Sequence, residues 1–288
     1  MPTLAPMPSG NCPLVRLLCF YTEPDSNVTP EYIEETSVSP GQRNYPHTKR
    51  LMPITDIRGL EAHFNLSEHS FCAVPRAFTS EINFELAADI TEKYLPWVKQ
   101  FIISHVQGSI KVVIFDHCIR KASCMKTSHR QVRKIHIDQS PAGAYARVKR
   151  HLSESDLRGI NTENAYFKIV NVWKPVSQPV TDHPLTFAEF KSLEADDLIP
   201  VRQTYPTYTG ETYAVKYNPN HQFRYWSNMD TSDVLLLQCF DSKRGSGDDG
   251  KPNYVQCAHG SFELDESGDE PYERKSIEVR CIVICQFV

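Results

Sequence analysis

"KIHIDQS", residues 134–140, sets a histidine and an aspartate two positions apart in a run that reads as a strand. Side chains alternate along a strand, so His136 and Asp138 share a face. A neutral imidazole beside a carboxylate makes two of the three ligands of a two-histidine, one-carboxylate iron site. The tripeptide alone reads equally well as a half-exposed strand with a surface ion pair. The surrounding scaffold decides, because a facial site needs a second histidine from another strand.

Around this stretch the chain is built of short strands. "VRLLCFY" (15–21), "IKVVIF" (110–115), "VRKIHID" (132–138) and "AYFKIVNVW" (165–173) have strand composition. So do "TYAVKY" (212–217), "HQFRYW" (221–226), "DVLLLQCF" (233–240) and "SIEVRCIVICQF" (276–287). A helix is expected over 81–107, with Phe84, Ile90, Trp97, Phe101 and Ile102 on one face, a kink at Pro96 and a stop at Gly108. A second, shorter helix is expected over 143–153. Short strands with irregular loops and one substantial helix in the amino-terminal half point to a jelly roll flanked by helices. No glycine-rich turn joins a strand to a helix, which argues against a dinucleotide fold.

Composition narrows the function classes. The chain has 288 residues, 40% of them hydrophobic, and a formal net charge of −4. That charge does not suggest a nucleic-acid partner. No run reaches the length of a membrane span. Nine cysteines without a C-x-x-C pair suggest thiols in a reducing, cytoplasmic compartment, and no signal peptide is read at the amino terminus. Residues 117–134 carry six Lys/Arg and no acid, whereas 263–273 carry six acids and no base. The simple reading is two solvated loops, and the functional one is attraction of an anion to a nearby pocket.

Three downstream histidines compete to complete the site: His183 in "TDHPL", His221 in "YNPNHQFRYW" and His259 in "VQCAHGSF". Near the end, Arg274-x-Ser276 would share a strand face. An arginine fork with a hydroxyl suits the far carboxylate of a small dicarboxylate. Arg274 lies closer in sequence to His259 than to His221, so a hairpin joining metal and anion sites is the expectation. Arg280 has the same parity and is a competing anchor.

The segments "GQRNYP" (41–46), "DIRG" (56–59), "VVIFDHCIRK" (112–121), "HIDQSPAGAYARV" (136–148), "NVWKP" (171–175), "HPLTF" (183–187), "YNPNHQF" (217–223), "LLLQCFDS" (235–242), "AHGSF" (258–262) and "RKSIEVR" (274–280) occur in a specific order. In them the chain resembles the fungal AsaB/CmcJ-like hydroxylase/desaturase family. The resemblance implies a double-stranded β-helix (jelly roll) over a single domain, 1–288. It also implies Fe(II), 2-oxoglutarate and dioxygen as cofactor and cosubstrates. The implied reaction is oxidation of an unactivated C–H by hydroxylation, desaturation or endoperoxidation, in fungal secondary metabolism. Some members act on meroterpenoids, and one forms an endoperoxide.

Carried over, His136, Asp138 and His259 are the metal ligands, and Arg274 with Ser276 holds 2-oxoglutarate. Gln139, which follows Asp138, and Asn171, which shares a face with Trp173, are further candidates for the cosubstrate pocket. His221 is expected to pack near the entrance, beside a loop formed by 241–253. The lysine in "NVWKP" and the alanine in "AHGSF" replace a commoner arginine and proline, and touch no implied ligand. The implied partners are a small-molecule substrate and, as an expectation only, a second copy in a homodimer. A cupin-like metal-dependent isomerase, or a non-catalytic metabolite-binding protein of the same fold, is the alternative.

Overall fold

The computed structural model describes residues 13–24, 28–33, 41–121, 132–162, 165–177, 179–181, 183–243, 254–264 and 274–287. Its strands are β1 (Leu14–Tyr21), β2 (Glu31–Ile33), β3 (Gln42–Arg43), β4 (His47–Asp56), β5 (Phe71–Val74), β6 (Ser109–Lys121), β7 (His136–Ile137) and β8 (Ala165–Pro175). They continue with β9 (Leu185–Ala188), β10 (Leu198–Thr204), β11 (Thr209–Val215), β12 (Phe223–Tyr225), β13 (Val234–Asp241), β14 (His259–Ser261) and β15 (Lys275–Gln286). The helices are α1 (Leu66–His69), α2 (Ala87–Asp89), α3 (Leu95–His105), α4 (Pro141–His151) and α5 (Glu154–Asn161).

The strands form two sheets, and together they make the jelly roll. The large sheet runs β1-β4-β12-β9-β14-β7-β11-β10-β2-β3, and the small one β5-β13-β8-β15-β6. The small sheet is antiparallel throughout. Its central strands are buried on both faces, which explains their near-continuous apolar sequence. Val170, Val172, Val234, Leu236, Ile277 and Val279 face outward against Tyr94, Val98 and Ile102 of the helical layer. On the alternate positions, Trp173, Leu235 and Leu237 pack with Phe187 of the large sheet.

The helical layer departs from expectation in its start. It begins at Ala87 rather than 81, and it is not one regular helix. A π-helical turn, Ile90–Tyr94, precedes α3, and Pro96 falls in the first turn of α3. Proline lacks an N–H and its ring crowds the preceding turn, so a widened turn there replaces the expected kink. The stop at Gly108 holds, with φ of 76°.

The strand expected over 132–138 contracts to the two residues of β7. The neighbouring residues are extended but pair with different partners in turn. Val132 accepts from Ser261 N, and Ile135 N donates to Cys19 O, both at 2.8 Å. A chain passing between several strands in this way cannot form one long ladder. The helix α5 was not expected; its capping box, Ser153 with Asp156, is the sequence signal for it.

Candidate active site

The large sheet brings two histidines side by side. In the β14–β7 pair, His259 lies opposite His136, with ring centres 4.5 Å apart. Asp138 follows β7, and its Oδ1 lies 3.2 Å from His136 Nε2. One donor atom from each of His136, Asp138 and His259 falls within 4.8 Å of the other two.

Backbone carbonyls fix both rings. His136 Nδ1 donates to Lys134 O at 2.8 Å, and His259 Nδ1 donates to Cys257 O at 3.0 Å. A carbonyl can only accept, so each Nδ1 carries the proton. In the neutral rings both Nε2 atoms then keep a lone pair. A lone pair of His136 therefore faces a carboxylate oxygen, an arrangement that a cation between them relieves. Two imidazole nitrogens and one carboxylate oxygen form the donor set that suits a divalent iron. These residues fit the metal.

The small sheet holds the carboxylate from the opposite side. Asn171 Nδ2 on β8 donates to Asp138 Oδ2 at 2.6 Å, and Arg280 Nε on β15 does so at 3.3 Å. Oδ2 is thus occupied by the fold, and Oδ1 is left on the histidine side. Burial alone would push the Asp138 carboxyl up; the Arg280 guanidinium, the largest opposing influence, holds it well below the usual range. The His259 pKa is lowered, first by burial and then by His136, against the pull of Asp138.

Arg280 also reaches Glu278 Oε2 at 2.7 Å and Asp116 Oδ2 at 2.6 Å. It is therefore committed to three carboxylates. Burial opposes ionisation of Glu278, yet Arg280 and Arg120 keep its pKa lowered. Cys239 sits at a bulge in the β13–β8 ladder, with Sγ 4.0 Å from Asp138 Oδ2. Burial and the Asp138 charge push that thiol well above its ordinary range.

Arg274 lies just before β15 and is buried, its guanidinium 5.5 Å from the Trp173 ring centre. It donates to the His183 carbonyl. With Trp173, Leu185, His136 and His259 it lines a narrow cavity of about 20 Å³, room for about one water. The Ser276 hydroxyl is buried without a hydrogen-bond partner among the described residues. A larger cleft of about 700 Å³ opens on the other side, bounded by Asp138, Gln139, Arg280, Phe115, Arg147 and Tyr208.

The expected hairpin of metal and anion sites does not form. β14 belongs to the large sheet and β15 to the small one, so His259 and Arg274 meet across the interior. Asn171, a candidate for the cosubstrate pocket, bonds Asp138 and Glu278. Gln139 is buried on the cleft side, and its carbonyl accepts from Gln256 Nε2 at 2.6 Å. His221 is not in the cluster: its Nε2 lies 2.9 Å from Asp197 Oδ2. Most of the basic and acidic runs, and residues 244–253 of the expected entrance loop, lie outside the described residues. Glu278 and Asp116 escaped the sequence reading, although Glu278 has the parity of Ser276 and Arg280.

A family model described as an oxidoreductase/YMDC permease-like domain matches residues 18–284. The chain belongs to this family. The hydroxylase/desaturase efuI of Hormonema carpetanum is 26% identical over 269 residues, covering 84% of this chain and 86% of that protein. The Fe(II)/2-oxoglutarate-dependent dioxygenase nvfI of Aspergillus novofumigatus is 25% identical over 273 residues, covering 92% and 94%. A solved structure of the iron and alpha-ketoglutarate-dependent endoperoxidase NvfI superposes with a TM-score of 0.83 at 22% identity, covering 96% of this chain and 99% of that one. The structural likeness carries the fold, and the relatives' names match the group that the sequence motifs resemble. No helix among the described residues is long and apolar enough to cross a membrane.

Proposed function

We propose that the protein is an Fe(II)/2-oxoglutarate-dependent oxygenase acting on an unactivated C–H of a terpenoid or meroterpenoid secondary metabolite. The observation that supports this most is the convergence of His136 Nε2, Asp138 Oδ1 and His259 Nε2, with both Nδ1 atoms tied to carbonyls. Three donors on one side of a metal leave its other positions for cosubstrate and dioxygen. When bound, Fe(II) with 2-oxoglutarate and dioxygen supplies C–H oxidation coupled to decarboxylation of the keto acid.

The chain's own residues bind, orient and exclude water. Asn171 and Arg280 hold Asp138 Oδ2, so the carboxylate presents one oxygen to the metal. Arg274 gives up the His183 carbonyl for the far carboxylate of the keto acid, and Ser276 supplies its unused hydroxyl. Trp173 and Leu185 keep water from the cosubstrate side, while the larger cleft admits the substrate.

The test is succinate formation from 2-oxoglutarate by iron-loaded protein in the presence of dioxygen and a terpenoid panel. Iron-dependent succinate is the expected result. Tight metal binding without any consumption of 2-oxoglutarate would favour the isomerase or the non-catalytic binding protein instead.

A further inference from the structure

The larger cleft has one wall that the proposed reaction leaves unused. The last turn of α4 places Arg147, Arg150 and His151 along it. Positions three and four apart share a helix face. The Tyr208 ring lies beside both guanidiniums, 5.2 Å from Arg147 and 4.2 Å from Arg150. Arg147 is also 5.0 Å from the Phe115 ring. No ion pair joins either arginine to a described carboxylate.

The other charged side chains of the cleft are already engaged. Arg280 is paired with Asp116, Asp138 and Glu278, and Arg120 with Glu278. Glu211 accepts a hydrogen bond from Ser140 Oγ at 2.5 Å. Arg147 and Arg150 are the arginines of this cleft that no described carboxylate engages. Beside them, His151 Nε2 is buried with no hydrogen-bond partner among the described residues.

The rest of this wall is aromatic. Tyr205 and Tyr208 stack with centres 4.4 Å apart. Phe115 is the extra residue of a bulge: Asp116 pairs with Arg280 and Ile114 with Cys281, leaving Phe115 out of the ladder and in the cleft lining.

We infer that the substrate is an organic acid, its carboxylate held by Arg147 and Arg150 and its apolar body laid on Phe115 and the two tyrosines. The far end of that body then reaches the part of the cleft that Asp138 and Arg280 line. This rests on the oxygenase reading for the reaction, though not for the binding. A single carboxylate fits better than a phosphate dianion. The arginines sit at the carbonyl end of α4, where the helix dipole opposes a second negative charge.

The test uses 2-naphthoate and its neutral counterpart 2-naphthamide as probes, titrated calorimetrically into the full chain with and without saturating 2-oxoglutarate. The acid should bind at least about tenfold more tightly than the amide, with or without 2-oxoglutarate. An R147Q/R150Q protein should lose that preference while its 2-oxoglutarate affinity and melting temperature stay unchanged. Equal affinity of the two probes, a preference that survives in the double variant, no saturable binding of either, or displacement of naphthoate by 2-oxoglutarate would each overturn the inference. The wild-type comparison stands even if the variant folds poorly. Acid preference without 2-oxoglutarate turnover would sink the oxygenase reading and leave the acid site standing; turnover without acid preference would do the reverse.

Discussion

Two histidine–carboxylate pairs of nearly the same length lie in this fold, and their surroundings differ. His136 Nε2 is 3.2 Å from Asp138 Oδ1, and His221 Nε2 is 2.9 Å from Asp197 Oδ2. The difference lies in the far nitrogen. At His136 a carbonyl takes the Nδ1 proton, so the lone pair is turned onto the carboxylate beside a second histidine. At His221 the far Nδ1 is buried without a partner among the described residues, so Nε2 donates to Asp197 and no lone pairs converge. Phe20 and Phe223 enclose that ring, and Asn218 also bonds Asp197. His221 therefore pins two loops together. A histidine and an aspartate in contact are defined as a metal pair or a structural pin by what holds the other ring nitrogen.

The hardest way to break this contrast is through Arg280. Replacing it with methionine removes the cation shared by Asp138, Glu278 and Asp116. Unfolding stability should fall by about 3–5 kcal/mol, as for loss of one partner from a buried ionic network, read by urea denaturation. His221→Ala removes one bond from Asp197 and should cost about 1–3 kcal/mol.

Metal content gives the next largest effect and the sharpest separation. His136→Ala, Asp138→Ala and His259→Ala should each weaken Fe(II) binding beyond the roughly 10–100-fold seen for outer partners of a metal site. His221→Ala should keep its iron. Iron loss in the His221 variant, with iron kept in His259→Ala, would reverse the assignment.

Smaller still is the effect expected at Arg274. Arg274→Ala should lower the apparent affinity for 2-oxoglutarate by roughly tenfold or more, with iron content unchanged. The opposite pattern, loss in an Arg280 variant that still folds and none in Arg274→Ala, would move the anchor to Arg280.

The least effect concerns acid. Burial lowers the His221 pKa, only partly countered by Asp197, and burial with the Arg43 charge lowers that of His47 to about 4. The unfolded chain binds these protons near pH 6.5 (about the free value) whereas the folded chain does not. Stability from such groups is present above that pH and lost as pH falls towards the folded value. The melting temperature should therefore drop between about pH 6.5 and 4, and His47→Gln should make the slope shallower.

The sequence made some of this legible. Strands β8, β13 and β15 announce themselves as runs of β-branched and apolar residues, because both their faces are covered. Strands such as β2, β3 and β9 are too short and mixed to show a period, and β7 is extended chain whose partners change at each residue. His136 and Asp138 were legible from alternation, and His259 from family resemblance. The clamp on Asp138 was hidden, because Asn171 and Arg280 reach it from the other sheet. Only the alternation of Ser276, Glu278 and Arg280 with Ile277, Val279 and Cys281 hinted that a charged face turns inward.

The position of β15 also sets an order of assembly. It lies between β8 and β6, so β6 has no neighbour on either side in the small sheet until residues 275–286 arrive. Pairing over such a separation is slow, and until it happens β6 and one side of β8 expose open edges to other chains. The same strand carries Arg280, which closes on Asp138. Closure of the small sheet and completion of the clamp on Asp138 are therefore one event, and a chain that has not zipped its last strand leaves that carboxylate unheld.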